Sequence, residues 1–243
     1  DAGGAGLGGG NNGAGDPDLT ALSTFNTNDA AILEFDFVPT GDSLIFSYIF
    51  GSEEYNEYVC GTVNDAFGFF LSGPGIVGPY SDNAINLAVI PNPILEDETI
   101  PVTINTVNNG TAGGNGNANN CNQVSAQWNL NTDYYVDNAG NNDANSVQLD
   151  GFTVILTAAA QVQCGQTYHI KIAIADAGDT AFDSAVFLEG GSFASNGANI
   201  EASASIGGAP VFLGDTIVVE GCNEAAFTVI RPLADFTDTL ELF

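Results

Sequence analysis

AAILEFDFVPTGDSLIFSYIF, residues 30–50, alternates apolar and polar side chains in two successive runs. In 32–37, Leu33, Phe35 and Phe37 share one face while Glu34 and Asp36 take the other; in 43–50, Leu44, Phe46, Tyr48 and Phe50 point one way. A period of two marks half-buried strands. Pro39-Thr40-Gly41-Asp42 between the runs is turn chemistry, which predicts a hairpin with a short loop.

The pattern continues outward. Residues 67–71 form a short aromatic strand, 85–90 and 100–105 are further candidates, and 148–158 places Phe152, Val154 and Leu156 on one face. Tyr168, Ile170, Ile172 and Ile174 make the clearest inward face, and 184–189 follows as another strand. No segment sustains a 3.6-residue period. Many short strands joined by Gly, Pro and Asn turns predict an all-β chain, a jelly-roll-like β-sandwich. Residues 1–15, with eight glycines, read as a flexible lead-in, and 106–122, with seven Asn and four Gly, as a long loop or insertion. The sandwich is expected over 16–200. A change of texture between 197 and 208 introduces 208–243, with strands at 209–213, 216–220 and 225–231, as the opening of a second, smaller β domain. The first residues carry no leader pattern and the last look like a strand cut in mid-course, so a processed fragment of a longer polypeptide is expected.

Charge narrows the function. Thirty acidic residues stand against two basic ones, Lys171 and Arg231, for a formal net charge of −28. Two cations cannot neutralise a row of phosphates or form a polybasic lipid patch, so neither nucleic acid nor membrane insertion is expected. Hydrophobic residues at 44% suffice to fill a core. Carboxylates without basic partners repel one another, which calls for cations from outside. Four cysteines without CxxC spacing predict two disulfides in an exported protein, with three connectivities open.

Three acidic groups lie at strand ends: Glu53 and Glu54 after the 43–50 run, Asn64 and Asp65 before the aromatic strand, and Asp176, Asp179 and Asp183 between two apolar strands. Acids at strand ends can converge on one rim of a sandwich. Calcium takes about six to eight oxygen ligands of this kind, so these seven residues are its candidate ligands, with Asp29 a lesser one. Solvated loop acids are the plain alternative. Trp128, Tyr134 and Tyr135, beside the Asn-rich segment, are candidates for stacking on sugar rings or for stapling that segment to the sandwich. His169 is the sole histidine, and no Gly-x-Ser-x-Gly elbow accompanies it, so it reads as a hydrogen-bonded sheet-face residue and no catalytic set is expected. Glu53 and Glu54, neighbours in an extended segment, point to opposite faces and make a poor acid/base pair.

Several longer stretches carry a resemblance. Asp16-Pro17-Asp18-Leu19, then residues 30–60 ending in GSEEYNEYVC, NDAFGFFLSGPGI (64–76), DGFTVILTA (150–158), QCGQTYHIKIAIADAGD (163–179) and DSAVFLEGGSF (183–193) occur in this order. Together they resemble the choice-of-anchor L domain of large exported proteins of Bacteroidota, over 16–193. Residues 214–222 onward are similar, more weakly, to the start of a Calx-β-like or immunoglobulin-like repeat. The resemblance implies export, commonly by a type IX route, and a role at the cell surface in attachment, gliding or filaments, without an established catalytic activity. The expected partners are a surface glycan or protein receptor and neighbouring repeats of the same chain. A rival reading is self-assembly into a filament through exposed strand edges of the second domain, and another is a carbohydrate-active enzyme pairing Glu53 or Glu54 with an Asp from another loop. The 106–122 segment departs from the family pattern.

Overall fold

A computed structural model describes residues 13–139, 147, 149–195 and the backbone of four short segments, 199–201, 211–212, 215–216 and 228–230. The strands of the sandwich are β1 (Thr27–Phe37), β2 (Ser43–Ser52), β3 (Ala66–Ser72), β4 (Ile85–Asn86), β5 (Val89–Pro91), β6 (Thr99–Pro101), β7 (Tyr135–Asp137), β8 (Gly151–Thr153), β9 (Leu156–Gln161), β10 (Tyr168–Ala177) and β11 (Ser184–Leu188). One antiparallel sheet runs β1-β10-β3-β4. The other runs β11-β2-β8-β7, with β9 also on β2, and β5 and β6 form a separate small ladder. The chain is an all-β sandwich.

Most predicted strands form. The 148–158 strand breaks at Val154 and Ile155 into β8 and β9, leaving Val154 exposed and Leu156 buried. The 85–90 run splits into β4 and β5, and the 100–105 candidate is strand only to Pro101. The predicted hairpin does not form. β1 pairs with β10, and β2 pairs with β11, β8 and β9. Residues 38–42 are an arch between sheets, held where Val162 N–H donates to Asp42 O (2.9 Å) and Gly165 N–H to Pro39 O (2.9 Å). Five residues easily cross the roughly 10 Å between packed sheets. Alternation identified the strands and turn residues identified the bend, yet neither specifies which sheet receives the chain.

Facing rings fill the interior. Phe46 meets Phe69 edge-on at 4.3 Å, Tyr48 meets Phe69 at 5.0 Å, and Phe50 stacks on Phe67 at 6.4 Å. These side chains are buried together with Leu44, Leu71, Tyr168 and Ile170. On the outer face of the first sheet, Phe70, Ala173 and Ala175 receive Leu19 and Leu22 of a short helix, α1 (Pro17–Ser23). Asp16 caps α1, its Oδ1 accepting from the amides of Asp18 (2.9 Å) and Leu19 (3.0 Å), and Pro17 fits the first turn, where its missing N–H costs nothing.

The Asn-rich segment is ordered. Asn105, Thr106 and Asn108 are fully buried, and a second helix, α2 (Ala118–Val124), is capped by Asn117. Cys60–Cys121 ties this segment to the end of the 53–60 loop. Cys164 is exposed and not disulfide-bonded, so the expected second bridge is absent among the described residues; Cys222 lies outside them. Residues 13–15, expected to be flexible, lie against β1: Ala14 bridges to Asn28, and a Cβ on Gly15 would stand 1.9 Å from Thr27 O. Beyond the sandwich, β12 (Asn199–Glu201) pairs with β15 (Thr228–Ile230), and β13 (Val211–Phe212) with β14 (Asp215–Thr216). The rest of the expected second domain lies outside the described residues.

Candidate functional site

Strand directions bring the acids to one rim. Register pairs Ser52 at the end of β2 with Ser184 at the start of β11, Ala66 at the start of β3 with Ala175, and Thr27 at the start of β1 with Ala177. Residues 53–54, 65, 176–183 and 27–29 therefore meet at the same end of the sandwich.

At its centre are two fully buried carboxylates, Glu54 and Asp65. The Asp65 amide donates to Glu54 Oε2 at 3.4 Å, and Ser52 Oγ accepts from the Glu54 amide at 2.9 Å. Asp65 accepts from Ser184 Oγ (2.6 Å) and from the Ala177 amide (3.1 Å). Glu54 Oε1 is buried and has no hydrogen-bond partner. An orphaned buried oxygen of this kind carries its full desolvation penalty.

The acids around this pair raise one another's affinity for protons. Burial pushes the Glu54 carboxyl well above the ordinary carboxylate range, and the charges of Asp65, Asp179 and Asp176 add to it against the hydrogen bond from the Asp65 amide. Burial does the same to Asp65; hydrogen bonds from Ser184 and Ala177 oppose the rise, and Asp176 and Asp179 reinforce it. Asp176 is raised to about 7, by burial first and then by Asp183, Asp29 and Asp179. An open cleft of about 220 Å3 lies over the group, lined by Asp29, Ala31, Ile174, Ala175, Asp176, Asp183 and Ser184.

No lysine or arginine approaches these acids among the described residues. Lys171 is committed elsewhere: its Nζ reaches Asp16 Oδ2 at 2.8 Å and Asp18 Oδ2 at 2.5 Å, and it lies 4.8 Å from the Phe70 ring centre. Burial alone would raise the Asp18 carboxyl, but hydrogen bonds from Lys171 and Ser81 outweigh it and hold it below its ordinary value. Arg231 lies outside the described residues.

The other candidates are placed differently. Glu53 gives its amide to Asp183 O (3.2 Å), but its side chain lines a second pocket of about 120 Å3 with Glu57, Tyr58, Asn115, Asp150 and Phe182. The side chains of the two neighbouring glutamates thus serve different places, although both lie in the bend after β2 rather than in extended backbone. Asn64 acts as a bracket, its Nδ2 donating to Ser23 O (3.0 Å) and its Oδ1 accepting from the Asn105 amide (2.9 Å). Asp179 Oδ1 accepts from the Ala181 amide (3.3 Å), and its carbonyl accepts from Asn28 Nδ2 (2.8 Å).

Trp128 does not form a stacking platform. It is buried in the core, with Nε1 donating to Asn122 Oδ1 at 3.1 Å. Tyr135 lies 4.8 Å from the Tyr55 ring and donates to Asn56 Oδ1 at 2.8 Å, while Tyr134 packs against the core. Trp128 thus staples the Asn-rich segment, while Tyr135 holds the 53–60 loop. His169 Nδ1 is 2.8 Å from Asp36 Oδ1 on the outer sheet face. Sequence reasoning overlooked Ser184, whose place beside Asp65 follows only from β2–β11 register, and the structural use of Asp16 and Asp18, for which the Asp-Pro helix start was the available signal.

The oxygen-only donor set suits a hard cation. As the side chains stand, no three His, Cys, Asp or Glu residues among those described are grouped to hold one metal ion. Cation binding here requires the carboxylates to turn toward a common point.

Residues 2–194 match the family model of the choice-of-anchor L domain. The chain belongs to that family. The choice-of-anchor L domain is a non-enzymatic module of surface-anchored proteins, which places this chain in an extracellular, surface-anchored setting. Searches of curated proteins and of solved structures give no match. Among the described residues of this choice-of-anchor L module, no helix is long and apolar enough to cross a membrane.

Proposed function

We propose that the chain is a calcium-stabilised, non-catalytic binding module of a large bacterial surface adhesin, exported by a type IX route in a member of the Bacteroidota. The observation that carries the metal reading is Glu54 Oε1, an unpartnered oxygen buried beside Asp65 in a site where Asp176 and Asp179 add negative charge. A buried group of acids without a basic partner resolves its repulsion by taking up protons or by taking up a cation. At neutral pH outside the cell, calcium is the cation that suits the donors. Glu54, Asp65, Asp176, Asp179 and Asp183 are its proposed ligands, and Glu53 and Asn64 position the loops around them. Bound calcium fixes the 178–183 loop between β10 and β11 and so shapes the rim of the sandwich. The aromatic residues expected for glycan stacking are occupied within the fold, which favours a protein receptor over a glycan.

Calorimetric titration of calcium into the wild type and into Glu54→Gln tests the ligand assignment. The wild type takes up calcium and the variant binds at least tenfold more weakly. Equal affinity in the two overturns the assignment.

A further inference from the structure

The cleft at the acids lies between the edges of the two sheets. β1 is the edge of one sheet and β11 the edge of the other, and residues of both line the cleft together with β10. Leu33 faces inward, since it is opposite Ile172 and in phase with the core positions Phe35 and Phe37. Leu188 also takes an inward position, opposite Tyr48 and in phase with Val186. Both should be covered, yet Leu33 is 54% exposed and Leu188 46%. Further along, Phe193 closes the flank, its ring 5.5 Å from Phe35, 5.3 Å from Phe37 and 5.6 Å from Phe46. This flank is thus sealed at Phe193, while the two inward leucines stay uncovered.

We propose that this flank receives an extended segment of a protein partner, with an apolar side chain between Leu33 and Leu188 and a lysine or arginine at the acidic cleft. Three features define that occupant. Among the described residues, β11, and β1 beyond Ala30, where residues 13–14 no longer pair with it, offer backbone hydrogen-bonding groups to an added strand. The uncovered inward leucines take an apolar side chain. Asp176 and Asp183 line the cleft, so a basic side chain complements it. At about 3.3 Å per residue, the five residues of β11 correspond to a bound segment of roughly five residues. This inference rests on the reading of the chain as a binding module but not on the metal.

Panning a random displayed heptapeptide library on the full chain, in calcium and after chelation, tests it. Enriched peptides should pair an apolar residue with Lys or Arg three to five positions away. Their binding should fall at least tenfold in Leu33→Ser and Leu188→Ser, whose melting stays near wild type because both side chains are half exposed. Asp183→Asn, panned after chelation, should weaken the preference for a basic residue. Bound peptide should protect from hydrogen exchange those amides of 31–35 and 184–188 that point away from β10 and β2. Absent enrichment, enrichment of acidic peptides, or binding that ignores all three substitutions overturns the proposal. So does protection of those amides in the free chain, which would mean that another part of the chain, or a second copy revealed by sedimentation, covers the flank. The metal reading fails separately, through a melt indifferent to calcium while peptides still bind at the flank.

Discussion

Lys171 shows how sparingly this chain uses positive charge. Its ammonium is nearly enclosed between Asp16 and Asp18 and packs over Phe70, so it joins the cap of α1 to the middle of β10. Removing one partner of a buried ion pair leaves the other charges uncompensated. Lys171→Met is expected to lower stability by about 3–5 kcal/mol, as read from denaturant midpoints at neutral pH. A loss under about 1 kcal/mol would mean that the triad is hydrated. Glu54 is the opposite case, a buried acid that the chain itself does not neutralise. In chelator, Glu54→Gln should melt no lower than the wild type, since the neutral amide removes the buried charge that Asp65, Asp176 and Asp179 repel and can donate to a neighbouring carboxylate, and it should respond less to calcium. The residue chemistry of the rim was legible because acids at strand ends are visible in any sequence. The use of Trp128 was not, because a lone Trp beside a polar segment reads the same whether it is exposed or enters a core.

At the scale of elements, β10 and the turn that follows it organise the site. Gly178 has φ 101°, and a Cβ there would stand 2.3 Å from Thr62 O, while its amide donates to Asn26 O at 2.9 Å. Both space and backbone demand glycine. Gly178→Ala should destabilise the fold by roughly 2 kcal/mol or more and weaken calcium uptake with it; a neutral effect on the melt would show that the 62–63 backbone yields. The Cys60–Cys121 bridge closes a loop with a sequence separation of 61, which corresponds to about 4 kcal/mol in the chain-entropy account. Paired serine substitution at both positions should lose a large part of that in chemical denaturation. The strands were readable from alternation, and β3 and β10 lie within a residue or three of their expected bounds. The partnership of β1 with β10 was not readable, because residues 38–42 bend equally well within a sheet or between two. The helix of the Asn-rich segment escaped because it is built from asparagines, weak helix formers, and starts on the side-chain cap of Asn117, which composition alone presents as loop.

For the whole molecule, acidity makes stability depend on pH and on cations. The folded chain raises Glu54 and Asp65, and holds Asp176 at about 7 against an ordinary 3.8. It therefore binds more protons than the unfolded chain between about pH 4 and pH 7, and stability falls as pH rises through that window. In chelator the chain should melt higher at pH 5 than at pH 7.5; the reverse order would show that these acids are solvated and ordinary. Calcium competes with those protons, so its effect should grow from pH 5 to pH 7.5.

The most direct measurement is a thermal melt of the full chain at pH 7.5 with calcium, with magnesium and after chelation. A hundredfold excess over Kd adds about 2.7 kcal/mol, which for a chain of this size raises the midpoint by roughly 5–10 °C. The account predicts that rise with calcium and a smaller one with magnesium, whose stricter octahedral geometry these carboxylates do not readily meet. Three superimposable curves would contradict it.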